Sequence, residues 1–186
     1  MVMGPSRWPL KGIDHAFRAF RLLKKKVPNF TVVYVSSQEE DSRRLARFPF
    51  SMECYVRPSQ RKLAQLYQSS DVFVSPSWYE GFSFPPLEAM ASGTPVVAYG
   101  NSGIQNYAVD GHNCLLARLG EVRDLARNME LLFKNEKLRK QLIQGGRNTA
   151  AQIPTWEKGA QSFEEIARKE IETFRPGVIR LSPSAR

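Results

Sequence analysis

The sequence predicts a doubly wound α/β domain built around a parallel β-sheet. Short apolar or β-branched runs alternate with amphipathic segments of helical spacing along most of the 186 residues. Alternation of this kind is typical of a parallel sheet that carries helices on both faces. A composition of 42% apolar and 24% charged residues is ordinary for a globular protein and argues against intrinsic disorder. The length fits one domain, which we expect over residues 1–174, followed by a C-terminal tail without periodicity over 175–186.

Each element has its own local signal. Strands are predicted where short apolar or β-branched runs end at turn residues or proline, over 1–3, 31–35, 53–57, 72–74, 95–98 and 114–116. Helices are predicted where apolar residues recur at helical spacing, over 13–26, 60–68, 86–92 and from 121 onward. Ser59 is placed to cap the second helix, whereas Gly145–Gly146 and Pro154 predict breaks in the last helical region. Residues 43–50 fit no single pattern.

Charge is distributed unevenly along the chain. The net charge is +9, with +8 on residues 1–62, −4 on residues 63–117, which contain no Lys or Arg, and +5 on residues 118–186. The basic residues fall mostly on helix-like faces, which is typical of solvated helix surface. No series of base-stacking aromatics or reading helix accompanies them, so binding to nucleic acid is not expected. A peripheral contact between the basic first helix and an anionic membrane surface stays open.

Several classes of protein are excluded by what the sequence lacks. No apolar run approaches the ~18 residues of a membrane span, and no signal-peptide pattern opens the chain. With only Cys54 and Cys114, a disulfide scaffold is excluded, and both are predicted to be small core residues in a reducing compartment. We therefore expect a cytoplasmic protein. Two histidines and two cysteines far apart in sequence predict no structural metal site.

The candidate ligand site lies in residues 75–97. Ligands of open parallel sheets bind beyond the carboxyl ends of the strands, and here a buried strand leads into a loop that carries Glu80. Gly81 would let the backbone approach a ligand, and Ser83 is predicted to cap a helix whose first-turn amides suit a phosphate group. Glu88, farther along that helix, could accept two ribose hydroxyls. The same residues allow a second interpretation, in which Glu80 caps a turn and Glu88 is solvated.

The segment Ser77-Trp-Tyr-Glu-Gly-Phe-Ser-Phe-Pro-Pro-Leu-Glu-Ala-Met-Ala-Ser-Gly-Thr-Pro-Val-Val97 resembles the donor-binding signature of the retaining group 1, or family-four, glycosyltransferases. Further matches follow in the expected order, at Lys11-Gly12-Ile13-Asp14, residues 66–77, Gly103-Ile104, residues 110–116 and Trp156. The resemblance covers roughly residues 1–170. It implies a single Rossmann-like domain, equivalent to the C-terminal, donor-binding half of the two-domain GT-B architecture, in an enzyme of carbohydrate biosynthesis.

The resemblance implies a role for each matching residue of the 77–97 segment. Glu80 would contact hydroxyls of the donor sugar near the reacting carbon and orient it. Glu88 would bind the ribose hydroxyls. The backbone amides of Gly81, Phe82 and Ser83 would hold the diphosphate.

The positive charge for the diphosphate must come from outside this segment, because residues 63–117 contain no Lys or Arg. The resemblance implies that Arg7 and Lys11, after the first strand, would stabilise the departing diphosphate without an obligatory metal. Arg7 and Lys11 are four positions apart, whereas five or six are expected in the family. Either Arg7 would therefore reach the diphosphate in a different way, or another residue would take its role. Tyr55, Val56 and Arg57 would line the base of a UDP- or GDP-sugar.

The leading interpretation is therefore the donor half of a retaining glycosyltransferase. The acceptor would be bound by an N-terminal domain that these 186 residues do not contain, so the isolated chain is expected to be nearly inactive. His15 and His112 are predicted to be structural or surface residues and do not replace the histidine of that domain. The alternative is a non-catalytic nucleotide-sugar-binding or regulatory module.

Overall fold

The computed structural model describes residues 1–39 and 47–174. Within these ranges, six parallel strands form one sheet in the order β3-β2-β1-β4-β5-β6. The strands are β1 Val2–Met3, β2 Thr31–Ser36, β3 Ser51–Val56, β4 Phe73–Ser75, β5 Val96–Tyr99 and β6 Leu115–Ala117. The helices are α1 Ile13–Lys24, α2 Gln60–Gln68, α3 Phe84–Ser92, α4 Val122–Lys134, α5 Glu136–Gln152 and α6 Trp156–Thr173. This is the doubly wound α/β fold that the sequence predicts.

The short strand β1 connects the two halves of the sheet, because it pairs with a strand on each side. In β1, Val2 pairs with Tyr34 of β2 on one side and with Val74 of β4 on the other. Every residue of β4 and β5 is buried, as expected for parallel strands covered on both faces. At the β3 end of the described sheet the side chains are mostly exposed. Cys54 lies there, so its predicted core position is wrong, whereas Cys114 is buried as predicted.

Helix α1 covers the sheet with the predicted apolar face. The side chains that it buries include Ile13, Ala16, Phe17, Phe20 and Leu23, and the Phe17 ring meets the Tyr34 ring edge to face at 5.6 Å. On its outer side, Arg21 lies over the Phe48 ring and Lys24 over the Phe30 ring. These cation–π contacts account for two of the basic side chains by packing and give no support to a membrane contact.

Several predicted boundaries are confirmed. The Ser59 hydroxyl accepts a hydrogen bond from the Lys62 amide at 3.2 Å and caps α2, and α6 starts after Pro154, capped by Thr155. Residues 47–50 form turns and bends that lead into β3, whereas 40–46 and the predicted tail over 175–186 lie outside the described residues. No helix in the described ranges is both long enough and apolar enough to cross a membrane.

The break predicted at Gly145–Gly146 is wrong, because α5 continues through both glycines. A Cβ at Gly145 would overlap the His112 carbonyl oxygen, and one at Gly146 would lie 3.0 Å from Cγ of Met90. These glycines therefore allow close packing of α5 on the rest of the domain.

The chain divides into two compact units. The first covers Met1–Gln152 and contains the whole described sheet, and the second begins at Ile153. The described part of the second unit is essentially α6, in which no described side chain is buried and Trp156, Phe163 and Ile166 are exposed.

Substitution of the two glycines of α5 tests the packing explanation. We expect Gly145→Ala to lower the free energy of unfolding by roughly 2 kcal/mol, since overpacking costs about 1–3 kcal/mol and the gain in helix propensity recovers less than ~1 kcal/mol. Gly146→Ala should cost less, because the flexible Met90 side chain can move aside. Urea unfolding measures both variants. Gly159→Ala in α6, where a Cβ would meet open space among the described residues, is the control, and equal losses at all three positions would contradict the explanation.

Candidate functional site

The loops that follow β1 and β4 bound a cavity of about 300 Å³ at the carboxyl edge of the sheet. The strand order reverses between these two strands, and such a reversal is where doubly wound folds bind ligands. Lys11 reaches the wall from the loop after β1, and Glu80 and Ser83 reach it from the loop after β4. Ser36 and Arg57 add polar groups from the ends of β2 and β3.

An ion pair joins the two loops across the mouth of this cavity. The Lys11 ammonium donates to Oε1 of Glu80 at 2.7 Å, and the side chains are 28% and 17% exposed, respectively. An ammonium group has three donors, so this contact leaves Lys11 able to bind a second anionic group.

A glycine sets the distance between the same two loops. Gly12 ends the 3₁₀ turn Pro9–Lys11 in a left-handed conformation, with φ +61°. A Cβ at this position would overlap the Pro76 carbonyl oxygen. Just before the glycine, the Leu10 carbonyl accepts a hydrogen bond from the Trp78 amide at 2.8 Å. The two loops therefore lie in direct backbone contact beside Lys11.

The loop that carries Glu80 is held in place by hydrogen bonds from the loop after β5. Three side chains of the second loop donate to three backbone carbonyls of the first. The pairs are Asn101 to Ser77 at 2.9 Å, Ser102 to Glu80 at 3.2 Å, and the Tyr107 phenol to Ser83. A Cβ at Gly103 would come within 2.6 Å of the Glu80 carbonyl oxygen, which shows how closely the loops pack. The backbone that presents Glu80 and Ser83 is therefore preorganised.

Ser83 differs from its predicted role as a helix cap. It occupies the N-cap position of α3, but its hydroxyl accepts no bond from the helix amides and has no hydrogen-bond partner among the described residues. The residue is only 4% exposed and has φ +65°, a left-handed conformation that is unfavourable for a residue with a Cβ. A buried hydroxyl without a partner costs free energy, so Ser83 is a candidate for contact with a ligand.

Glu88 lies on the exposed side of α3. Its Oε2 accepts a hydrogen bond from the Tyr67 phenol at 3.0 Å. Burial raises the pKa of Tyr67, and the charge of Glu88 raises it further, so the phenol stays a donor. This contact orients the carboxylate and leaves Oε1 available for another donor.

The other predicted site residues do not lie on the cavity wall formed by the described residues. Arg7 and Gly81 are exposed, and Val56 lies exposed at the end of β3. The Phe82 ring packs against the Tyr107 ring at 5.4 Å. Three of the eight predicted site residues, Lys11, Glu80 and Ser83, therefore lie together on the described wall, and the other five, including Glu88, do not.

Arg57 reaches the wall instead of its neighbour Val56. Its backbone has φ +45°, and its Nε donates to the Ser37 carbonyl at 2.7 Å. The sequence did contain a signal for this residue, since Arg57 directly follows a strand and therefore lies at the carboxyl edge. The sequence predicts for Arg57 only a contact with the base.

Neither His15 nor His112 is among the described residues that line the cavity. Nδ1 of His15, on α1, lies 2.9 Å from the Tyr99 hydroxyl, and the ring meets Trp78 edge to face at 5.0 Å. Burial lowers the pKa of His15, and the Arg18 charge lowers it further. His112 is exposed in a turn. Across residues 1–39 and 47–174, no three His, Cys, Asp or Glu side chains are grouped so that they could hold a metal ion.

Comparison with known proteins agrees with the fold. Residues 6–149 match the family described as glycosyl transferases group 1, so the chain belongs to this family and the resemblance seen in the sequence is confirmed. A curated relative is the MMP alpha-(1->4)-mannosyltransferase of Mycolicibacterium hassiacum, which is 29% identical over 168 residues, or 88% of this chain and 41% of the relative. The chain spans about two fifths of the length of the curated relatives that it matches first.

Solved structures show the same fold. The C-terminal domain of a group 1 glycosyl transferase from Francisella tularensis (LpcC) superposes with a TM-score of 0.67 at 24% identity, covering 81% of this chain and 84% of that domain. Anabaena HepE, solved in complex with UDP-glucose, superposes with a TM-score of 0.74 at 21% identity, covering 90% of this chain and 48% of HepE. The chain thus has the fold of a GT-B C-terminal domain.

The hydrogen bonds of Asn101 predict a stability effect. Its side chain is buried, donates to the Ser77 carbonyl and accepts from the Ile104 amide. We expect Asn101→Ala to lower the free energy of unfolding by about 1–3 kcal/mol, because two buried backbone groups lose their partners. Asn106→Ala, whose bond to Gly103 is more exposed, is the matched control in urea unfolding. A loss at Asn106 as large as that at Asn101 would argue against the stabilising role proposed for the two Asn101 hydrogen bonds.

The pKa of His15 predicts a pH dependence of stability. Because this pKa lies below the usual 6.5 in the folded chain, the unfolded chain binds more protons in the window just below 6.5. Stability should therefore fall as the pH drops through that window, and His15→Gln should flatten this part of the profile. Thermal unfolding between about pH 5 and 8 measures it, within the range in which histidine titrates. His112→Gln is the control, and an unchanged profile in His15→Gln would refute the assignment.

Proposed function

We propose that this chain binds a nucleoside diphosphate sugar in the cavity between β1 and β4, as the donor-binding half of a retaining glycosyltransferase. The observation that carries the proposal is the buried Ser83 hydroxyl, which has no partner among the described residues and lies on the same wall as Lys11 and Arg57. Family membership supports the proposal, and so does the binding of UDP-glucose by HepE, a protein of the same fold.

The diphosphate would bind at the start of α3. The positive end of the helix dipole favours an anion there. The Ser83 hydroxyl would donate its missing hydrogen bond to a phosphate oxygen, and the amides of Gly81, Phe82 and Ser83 would add further donors. Prolines at 85 and 86 remove two amides of the first turn, which makes the hydroxyl and the preceding loop amides more important.

Cations from the other half of the sheet would balance the charge. Lys11 would keep its bond to Glu80 and add one to the diphosphate, and Arg57 would approach from the end of β3. Arg7 would contribute from the exposed loop after β1. These side chains would stabilise the negative charge that develops on the leaving diphosphate, with no obligatory metal.

The two glutamates would recognise hydroxyls. Glu80 is held by its ion pair with Lys11 and by the hydrogen bond from the Ser102 hydroxyl to its backbone carbonyl. It would orient the sugar near its reacting carbon. Glu88, oriented by Tyr67, would accept from the ribose hydroxyls, and Val56 would lie near the base of a UDP- or GDP-sugar.

Transfer would proceed with retention on the front face of the sugar. The bond from the anomeric carbon to the diphosphate breaks, the acceptor oxygen bonds to that carbon from the same face, and the acceptor proton passes to the leaving diphosphate. The acceptor would be presented by an N-terminal domain in a cytoplasmic enzyme. The chain by itself would bind donor and turn over little.

A substitution at Ser83 separates a ligand-binding role from a structural one. Ser83→Gly removes the buried hydroxyl and suits the left-handed backbone, so we expect the unliganded chain to be as stable as the parent or more stable. Binding of the nucleoside diphosphate should weaken roughly tenfold or more, since a hydrogen bond to a charged group is worth about 1.5–3 kcal/mol. Urea unfolding and a titration of UDP, GDP and ADP by protein-detected NMR measure the two effects. Reduced stability with unchanged binding would reject the role.

Two arginine variants serve as a matched pair in the same titration. Arg57→Ala should weaken nucleotide binding more than Arg7→Ala, because only Arg57 lies on the described cavity wall. Failure of every nucleotide to bind, even to a chain with its acceptor domain restored, would overturn the proposal. Binding without transfer in that restored protein would favour a non-catalytic nucleotide-sugar-binding module.

A further inference from the structure

A second cavity lies beside the proposed donor cavity. Its volume is about 420 Å³, and its wall includes Trp8, Leu10 and Trp78. The 3₁₀ turn Pro9–Lys11 separates the two cavities. Lys11 lines the donor cavity, whereas its neighbours Leu10 and Gly12 line the second one.

The indole of Trp78 is held in place on one side and open on the other. His15 meets it edge to face at 5.0 Å, and Tyr99 does so at 6.3 Å. A Cβ at Gly120 would lie 3.1 Å from the ring, so the glycine allows the indole to pack closely there. The side chain is still 37% exposed. Trp78 is thus a rigid aromatic surface that faces solvent.

Other side chains around the cavity combine apolar and polar character. Trp8 is 58% exposed, and Leu10 is similarly exposed, an unusual concentration of large apolar side chains at a surface. Asp14 and Arg18, one turn apart on α1, line the same cavity. Small-molecule sites are concave and lined mostly by apolar and aromatic side chains with a few polar groups, so this mixture fits a small amphipathic ligand.

We infer that this cavity binds one sugar ring of an acceptor that the N-terminal domain presents. A pyranose has weakly positive C–H groups on its faces, which suit the negative face of an indole, and hydroxyls on its rim, which suit carboxylate and guanidinium groups. Trp8 and Trp78 would contact the face of the ring, and Asp14 and Arg18 would bind its hydroxyls. The acceptor role rests on the proposed donor site, because the cavity adjoins that site across Lys11.

The three tryptophans of the chain provide the test. In a chain labelled at the indole nitrogens, the probes are methyl α-glucoside, methyl α-mannoside and N-acetylglucosamine, each titrated alone. We expect saturable shifts of the Trp8 and Trp78 indole signals with at least one sugar. Trp156, which is not among the described residues that line the cavity, should not move. Trp8→Ala should weaken the binding roughly fivefold, as loss of one aromatic contact does. Trp156→Ala should leave it unchanged.

A parallel titration with UDP distinguishes this inference from the proposed function. Saturation by UDP without saturation by any sugar would overturn the sugar site and leave the donor site standing. Sugar binding without nucleotide binding would support the sugar site and count against the donor site. Equal shifts of all three indoles would indicate non-specific contact and overturn the inference. Concentration-dependent broadening of Trp8 and Trp78 without sugar would show that a second copy covers the surface, and would also overturn it.

Discussion

The backbone contact between the loops after β1 and β4 is the constraint on which the candidate site depends. Gly12 must adopt a left-handed conformation and must also leave room for a backbone carbonyl of the neighbouring loop. Glycine meets both conditions without strain, whereas any other residue would push the loops apart. With the loops together, the Leu10–Trp78 hydrogen bond forms and Lys11 comes within 2.7 Å of Glu80. Both cavities exist because this contact brings the two loops side by side.

Ser83 shows how the site keeps a local arrangement that does not favour the unliganded fold. Its left-handed backbone costs roughly 1–2 kcal/mol, and its buried hydroxyl has no partner in the described part of the chain. The Tyr107 phenol holds the Ser83 carbonyl, and burial raises the pKa of Tyr107, so the phenol keeps the proton that this bond needs. Strain held by the surrounding structure in this way is found at functional sites. A ligand that supplies the missing hydrogen bond would recover part of that cost.

The sequence was sufficient for the features that local patterns encode. Alternating strands and helices predicted the parallel sheet, and the resemblance to the group 1 glycosyltransferases implied that Lys11 and Glu80 belong to one site. Patterns could not reveal contacts between distant segments. The Gly145–Gly146 pair reads locally as a helix breaker, but packing against His112 decides its role. Likewise, the serine before α3 matches an N-cap in type, yet its backbone is left-handed and its hydroxyl forms no hydrogen bond with the helix amides.

The fold places two parts of the chain with opposite net charge on the two sides of the point where the sheet order reverses. Residues 1–62 carry a net charge of +8, and they form the strands on one side of the point where the sheet order reverses. Residues 63–117, with a net charge of −4 and no Lys or Arg, form the strands on the other side. Cations that suit a diphosphate therefore come from one side, and carboxylates that suit sugar hydroxyls come from the other. The two kinds of group share one cavity wall where the two sides meet, between β1 and β4.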